Sequence, residues 1–185
     1  MSSKIWLPHF FIVLLGTVFL YSCRSLKPIS GKNTLEPITA KEIDKFNGYY
    51  GIVSTDSVYR TLENALTGKN FFNEDHVISA SDKIQLQAID KRHIRVSVFY
   101  GSSFVRTKIL RGKVAQNYFV FSQIHIEPIY VILNGAGRQK NRIGMLENGD
   151  LILDTTWGGF LYLFVMPTFG TGDSFYDLKF KHINL

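Results

Sequence analysis

From Lys83 onward the chain alternates apolar and polar side chains with a period of two. Ile84, Leu86 and Ala88 alternate with Lys83, Gln85 and Gln87, and after the Asp90-Lys91-Arg92 turn Ile94, Val96, Val98 and Tyr100 alternate with His93, Arg95 and Ser97. Successive side chains of a strand point to opposite faces, so this rhythm describes antiparallel strands with one buried and one wet face. Gly101-Ser102 turns the chain again. In the next segment Val105, Thr107 and Ile109 form the apolar side, with Arg106 and Lys108 on the wet side.

Later segments are more apolar: Tyr118–Phe121, Ile129–Leu133, Arg142–Leu146, Leu151–Leu153 and Gly159–Val165, with Phe175–Phe180 closing the sheet. Asn148-Gly149 is the strongest hairpin signal, because a type I′ turn needs positive φ at both central residues. Gly170-Thr171-Gly172-Asp173 reads as another turn. One helix is expected, from Asp56 or Ser57 as N-cap, with Val58, Leu62, Ala65 and Leu66 on one face and Gly68 as its stop. The expected fold is mainly β: an antiparallel barrel or sandwich of about eight to ten strands with one short helix.

The N-terminal segment has a separate logic. Lys4 is followed by an apolar run from Phe10 to Leu20, then Ser22 and Cys23, the only cysteine. A short apolar core with a charged flank and a small residue before a cut is the layout of a secretory signal; a spanning helix needs about 20 residues. Leu20-Tyr21-Ser22-Cys23 resembles the lipobox of bacterial lipoproteins. The resemblance implies cleavage after residue 22, acylation of Cys23, and a membrane partner reached through that lipid anchor. Residues 1–22 are then signal, 23–45 a lipidated terminus and linker, and 46–185 the β domain. Ser25, where the sorting pattern places aspartate for retention, implies outer-membrane delivery. The lack of an acidic cluster after Cys23 favours a periplasm-facing position. Phe46-Asn47-Gly48-Tyr49-Tyr50 resembles the opening of lipocalin-like barrels, which adds a scaffold to the expectation and no ligand.

Aromatic residues make up 14% of the chain and charged residues 19%, against the usual figure of about 25% charged. A β core accounts for that excess, and an aromatic-lined cavity would use it too. Tyr49, Tyr50, Phe119, Phe121, Phe160 and Tyr162, with Trp157 beside Gly158-Gly159, are the candidate ligand-binding residues. The first functional expectation is an envelope lipoprotein binding a lipid or apolar small molecule. The alternative is a structural lipoprotein docking onto an envelope protein complex.

Catalytic chemistry is not motivated. There is no Gly-x-Ser-x-Gly elbow. His125 and Glu127 share a strand face without an evident third metal ligand, and Asp150 and Asp154 read as solvated surface acids. No metal or cofactor is expected. The formal net charge of +6 suits anionic surfaces and does not imply nucleic acid. Arg138, Lys140 and Arg142, at every second position, would project to one face as a basic stripe, which reads either as an ordinary charged outer face or as a contact for anionic lipid headgroups.

Overall fold

The computed structural model describes residue 26 and residues 33–68, 79–128, 133–163 and 166–184; the side chains of 57–60, 125–128, 133–136, 160–163 and 166–171 fall outside the description. Cys23 therefore lies outside the described residues, as do Ile129–Ile132 of one expected strand. A 3₁₀ turn (Ile43–Phe46) leads to β1 (Gly48–Gly51), β2 (Val53–Ser54), β3 (Ser57–Thr61), helix α1 (Leu62–Thr67), β4 (Lys83–Asp90), β5 (His93–Tyr100), β6 (Ser103–Ala115), β7 (Tyr118–Pro128), β8 (Leu133–Met145), β9 (Leu151–Leu163), β10 (Met166–Phe180) and β11 (His182–Ile183).

Nine of these strands form one sheet in the order β10-β9-β8-β7-β6-β5-β4-β1-β11, antiparallel throughout, and β2 and β3 pair apart from it. One chain segment carries both edges. Phe180 of β10 sits opposite Leu151 of β9, while His182 and Ile183 of β11 sit opposite Tyr50 and Tyr49 of β1. The sheet thus curls toward a barrel without an unbroken closed ladder. The fold is mainly β, as the alternation predicted, with one short α-helix among the described residues.

The inward face is built from the expected alternating residues. Ile84, Leu86, Ile94, Val96, Val98, Phe119, Phe121, Ile143, Leu153 and Phe180 belong to one buried cluster with Phe46 and Tyr50. Each large side chain so buried contributes about 1.5–3 kcal/mol. Helix α1 enters this interior with Leu62 and Leu66 at 0% exposure.

Four local expectations are corrected. The helix starts at Leu62, because Thr61 is the N-cap, its hydroxyl accepting from the Asn64 amide at 3.2 Å; Val58 belongs to β3. Gly68 does end it, in the left-handed conformation at φ 70°. The two-residue left-handed turn is Gln116-Asn117, with φ 52° and 64°, whereas at Asn148-Gly149 only Gly149 has positive φ. There the Gly149 amide donates to Leu146 O, making a wider turn. Gly170–Asp173 continues strand β10 instead of turning. Asp154 is 1% exposed and ion-paired, not a solvated surface acid.

β6 is the most informative departure. Its register puts Arg106 opposite Val98 and Lys108 opposite Val96, both inward residues. Arg106 and Lys108 therefore point inside, and Ile109 points outside. β6 also leaves its neighbour early. Among the described residues it pairs with β7 only from Gly112–Phe121 to Ala115–Tyr118.

Candidate functional site

The inversion of β6 has a local cause. The last carbonyls of a helix lack intrahelical donors, and α1 ends inside the sheet. Lys108 Nζ donates to Thr67 O at 2.6 Å and to Gln123 Oε1 at 2.8 Å. Gln123 Nε2 donates to Leu66 O at 2.7 Å and Ala65 O at 3.2 Å, and Asn141 Nδ2 reaches Ala65 O at 3.3 Å. Buried Glu63 pairs with Arg106 and accepts from the Tyr100 hydroxyl. Burial, then the neighbouring Arg106 charge, holds the Lys108 amine below the usual lysine range. This interior layer is polar and pairs most of its groups around the helix end, leaving buried Arg106 Nε and Asn64 Oδ1 without a hydrogen-bond partner among the described residues, so its main work is to hold α1.

The candidate ligand residues separate accordingly. Tyr50, Phe119 and Phe121 are buried, at 0%, 0% and 4% exposure, in the packed cluster. Tyr49 points outward and half-exposed, its ring 6.2 Å from Phe99 and under Lys83 Nζ at 5.3 Å. Trp157 lies on an unbroken stretch of β9 and covers Gly137, where a Cβ would come within 2.8 Å of the indole nitrogen. The side chains of Phe160 and Tyr162 fall outside the description. The structure does not bring the described members of this set together as one lining.

The basic stripe is brought to one face. Ser122 stands opposite Lys140, Ile124 opposite Arg138 and Val120 opposite Arg142, all alternating with inward Phe121 and Gln123. Arg142, expected on the exposed stripe, is instead 7% exposed. The segment from Asn33 runs over this end of the sheet: Leu35 bridges to Leu146, the Glu36 amide donates to Met145 O at 2.8 Å, and Asn33 donates to Asp177 Oδ1 at 2.9 Å.

Arg138 and Lys140 join residues that sequence reading did not single out. With Arg92, Arg111, Lys113 and Leu26 they line an open groove of about 560 Å³ on the outer surface. Arg111 and Lys113 alternate with Gly112 at the point where β6 meets β7. Arg92 arrives from the β4–β5 turn, its carbonyl accepting from the Gly112 amide at 2.9 Å. Among the described residues, five cations share this lining and no carboxylate does. The nearest acid in sequence, Asp90, is engaged: it accepts from the Arg92 amide at 2.7 Å and contacts the His93 ring at 2.8 Å. Those contacts, the Arg92 amide first, hold its carboxyl below the usual range. Gathered like charges repel, and an anion bridging them relieves the repulsion. The five were hard to find in sequence, since three elements contribute them.

Among the described residues no cluster of His, Cys, Asp or Glu could hold a metal ion. Comparison with protein-family models, with curated proteins and with solved structures finds no match.

Proposed function

We propose that this chain is a membrane-anchored bacterial envelope lipoprotein, tethered through Cys23, whose β domain binds anionic lipid through the outer cationic groove. The observation that carries this reading is the convergence of Arg92, Arg111, Lys113, Arg138 and Lys140 around Leu26. Leu26 is three residues beyond Cys23, and three extended residues reach about 10 Å. A lipid on Cys23 would therefore bring the bilayer to the groove. A cation close to an anionic surface contributes about 1 kcal/mol, so five give a useful second attachment beside the acyl chains.

Compared with the sequence-based expectation, the lipid is moved from an aromatic interior to the basic outer face. A lipocalin-like scaffold is compatible with the curled antiparallel sheet, used here as a platform. The outer membrane, periplasmic side, is the proposed location. The anchor is tested by intact mass spectrometry of membrane-extracted protein. A mass beginning at Cys23 plus acyl chains, lost in Cys23→Ala, supports it, and an unprocessed, unmodified mass sinks it.

A further inference from the structure

We infer that the outward face of β6 is a bilayer-contact surface, on which Phe104 and Ile109 enter the boundary between headgroups and acyl chains while Arg111 and Lys113 hold phosphate. This rests on the lipid-surface reading above and extends it from charge to insertion.

Up to Ile109 the strand carries its charges, Arg106 and Lys108, inward and Phe104 and Ile109 outward; Leu110 then returns to the core. Phe104 is 59% exposed, Ile109 54% and Val105 40%, and Ile124 of β7, across the parting of the two strands, is 74% exposed. Exposed apolar side chains gathered on one face mark an interaction surface. Their orientation is locked. Shifting β6 by one residue to bury Ile109 would expel Arg106 from Glu63 and Lys108 from the carbonyl of Thr67. Phe104 is also supported from behind. Its ring meets Phe99 edge-on at 5.8 Å, and Phe99 meets Tyr49 at 6.2 Å. A rigid aromatic group beside a cation, here Lys83 over Tyr49, suits the wet edge of a bilayer.

Charge selects the occupant. No acidic residue occurs in Ser103–Ala115, and its outward cations run into the groove. A second copy of the chain would set Arg111 and Lys113 against like charges. An anionic bilayer matches both the cations and the apolar side chains, and Leu26 puts the anchored end of the chain at the same strand.

The test uses the full chain reconstituted into phosphatidylglycerol vesicles, with Phe104→Trp, Ile109→Trp and, as a reference on the β2–β3 turn, Thr55→Trp. Each is read against the unsubstituted chain. Expected are a blue shift and quenching by acyl-brominated lipid at the first two positions and neither at the third. In parallel, water-soluble amine acylation reads Lys113 and Lys140. If both lysines are protected but neither introduced indole is quenched, insertion is overturned and the headgroup reading stands. If the lysines react as freely as in phosphatidylcholine vesicles, with no quenching, both fall. A shift that needs no lipid and grows with protein concentration would put a second copy on this face and overturn the proposal.

Discussion

Arg142 Nε donates to Asp154 Oδ2 at 2.5 Å across the β8–β9 ladder, and the Tyr118 ring lies 4.8 Å from the same guanidinium. Asp154 Oδ1 also accepts the Asp177 amide at 2.7 Å. Removing one partner of a buried pair strands the other charge, at a cost of about 3–5 kcal/mol. Asp154→Ala is expected to lose that much stability in urea unfolding. Asp154→Asn, which keeps an acceptor for Asp177, is expected to lose less. Equal stability of Asp154→Ala and the parent would refute the buried pairing.

Two glycines give opposed expectations. At Gly112 a Cβ would meet Val120 O at 2.5 Å and the Phe119 ring at 2.7 Å. Gly112→Ala should therefore disrupt the β6–β7 join and cost about 2 kcal/mol or more, in the range of overpacked cores. Gly149 has φ 86° and nothing within 4 Å of a built Cβ. Gly149→Ala should cost only about 1 kcal/mol, from backbone strain alone. Thermal unfolding of the two variants checks the order.

Lys108 and Gln123 should behave as supports of the α1 terminus. Gln123→Leu removes donors to Leu66 O and Ala65 O and an acceptor for Lys108. A loss of about 1–3 kcal/mol is expected, the cost of buried groups left unpaired. Faster hydrogen exchange in α1 than in β4 should accompany it.

Alkaline stability should depend on Tyr50. Its hydroxyl donates to Phe46 O at 3.2 Å, and burial first, then the Asp150 charge, raises its pKa well above the ordinary tyrosine value. Burial does the same at Tyr118. Above about pH 10 the unfolded chain releases phenol protons that the folded chain keeps, so stability falls as pH rises. The depressed Lys108 works the other way, gaining stability toward the free lysine value. Tyr50→Phe is expected to cost about 1 kcal/mol at neutral pH for the lost hydrogen bond and to flatten the alkaline decline. Urea midpoints from pH 7 to 11 read both, and an unchanged slope in Tyr50→Phe would contradict the assignment.

Strands with inward aliphatic side chains were legible because one physical cause acts on them. Ile84, Leu86, Ile94, Val96 and Val98 alternate and are buried as the pattern requires. β6 was misread because Ile109 and Lys108 answer to a helix end 41 residues earlier in sequence for Lys108, which no local pattern contains. The Gln116-Asn117 turn was missed since glycine is the usual signal for positive φ. Two of the groove's five cations were legible, through the Arg138–Lys140 spacing. Arg92, Arg111 and Lys113 join it only through tertiary register.

The central claim is that the groove binds anionic lipid by charge. The most direct measurement is reactivity of Lys113 and Lys140 toward a water-soluble acylating reagent, with the full chain in phosphatidylglycerol and in phosphatidylcholine vesicles. The parent should be protected in the first and open in the second, with protection weakening as salt rises. Arg111→Glu with Arg138→Glu should remove the protection while leaving the unfolding midpoint nearly unchanged, both side chains being exposed. Equal reactivity in the two lipids, or protection that survives the double charge reversal, would contradict the account.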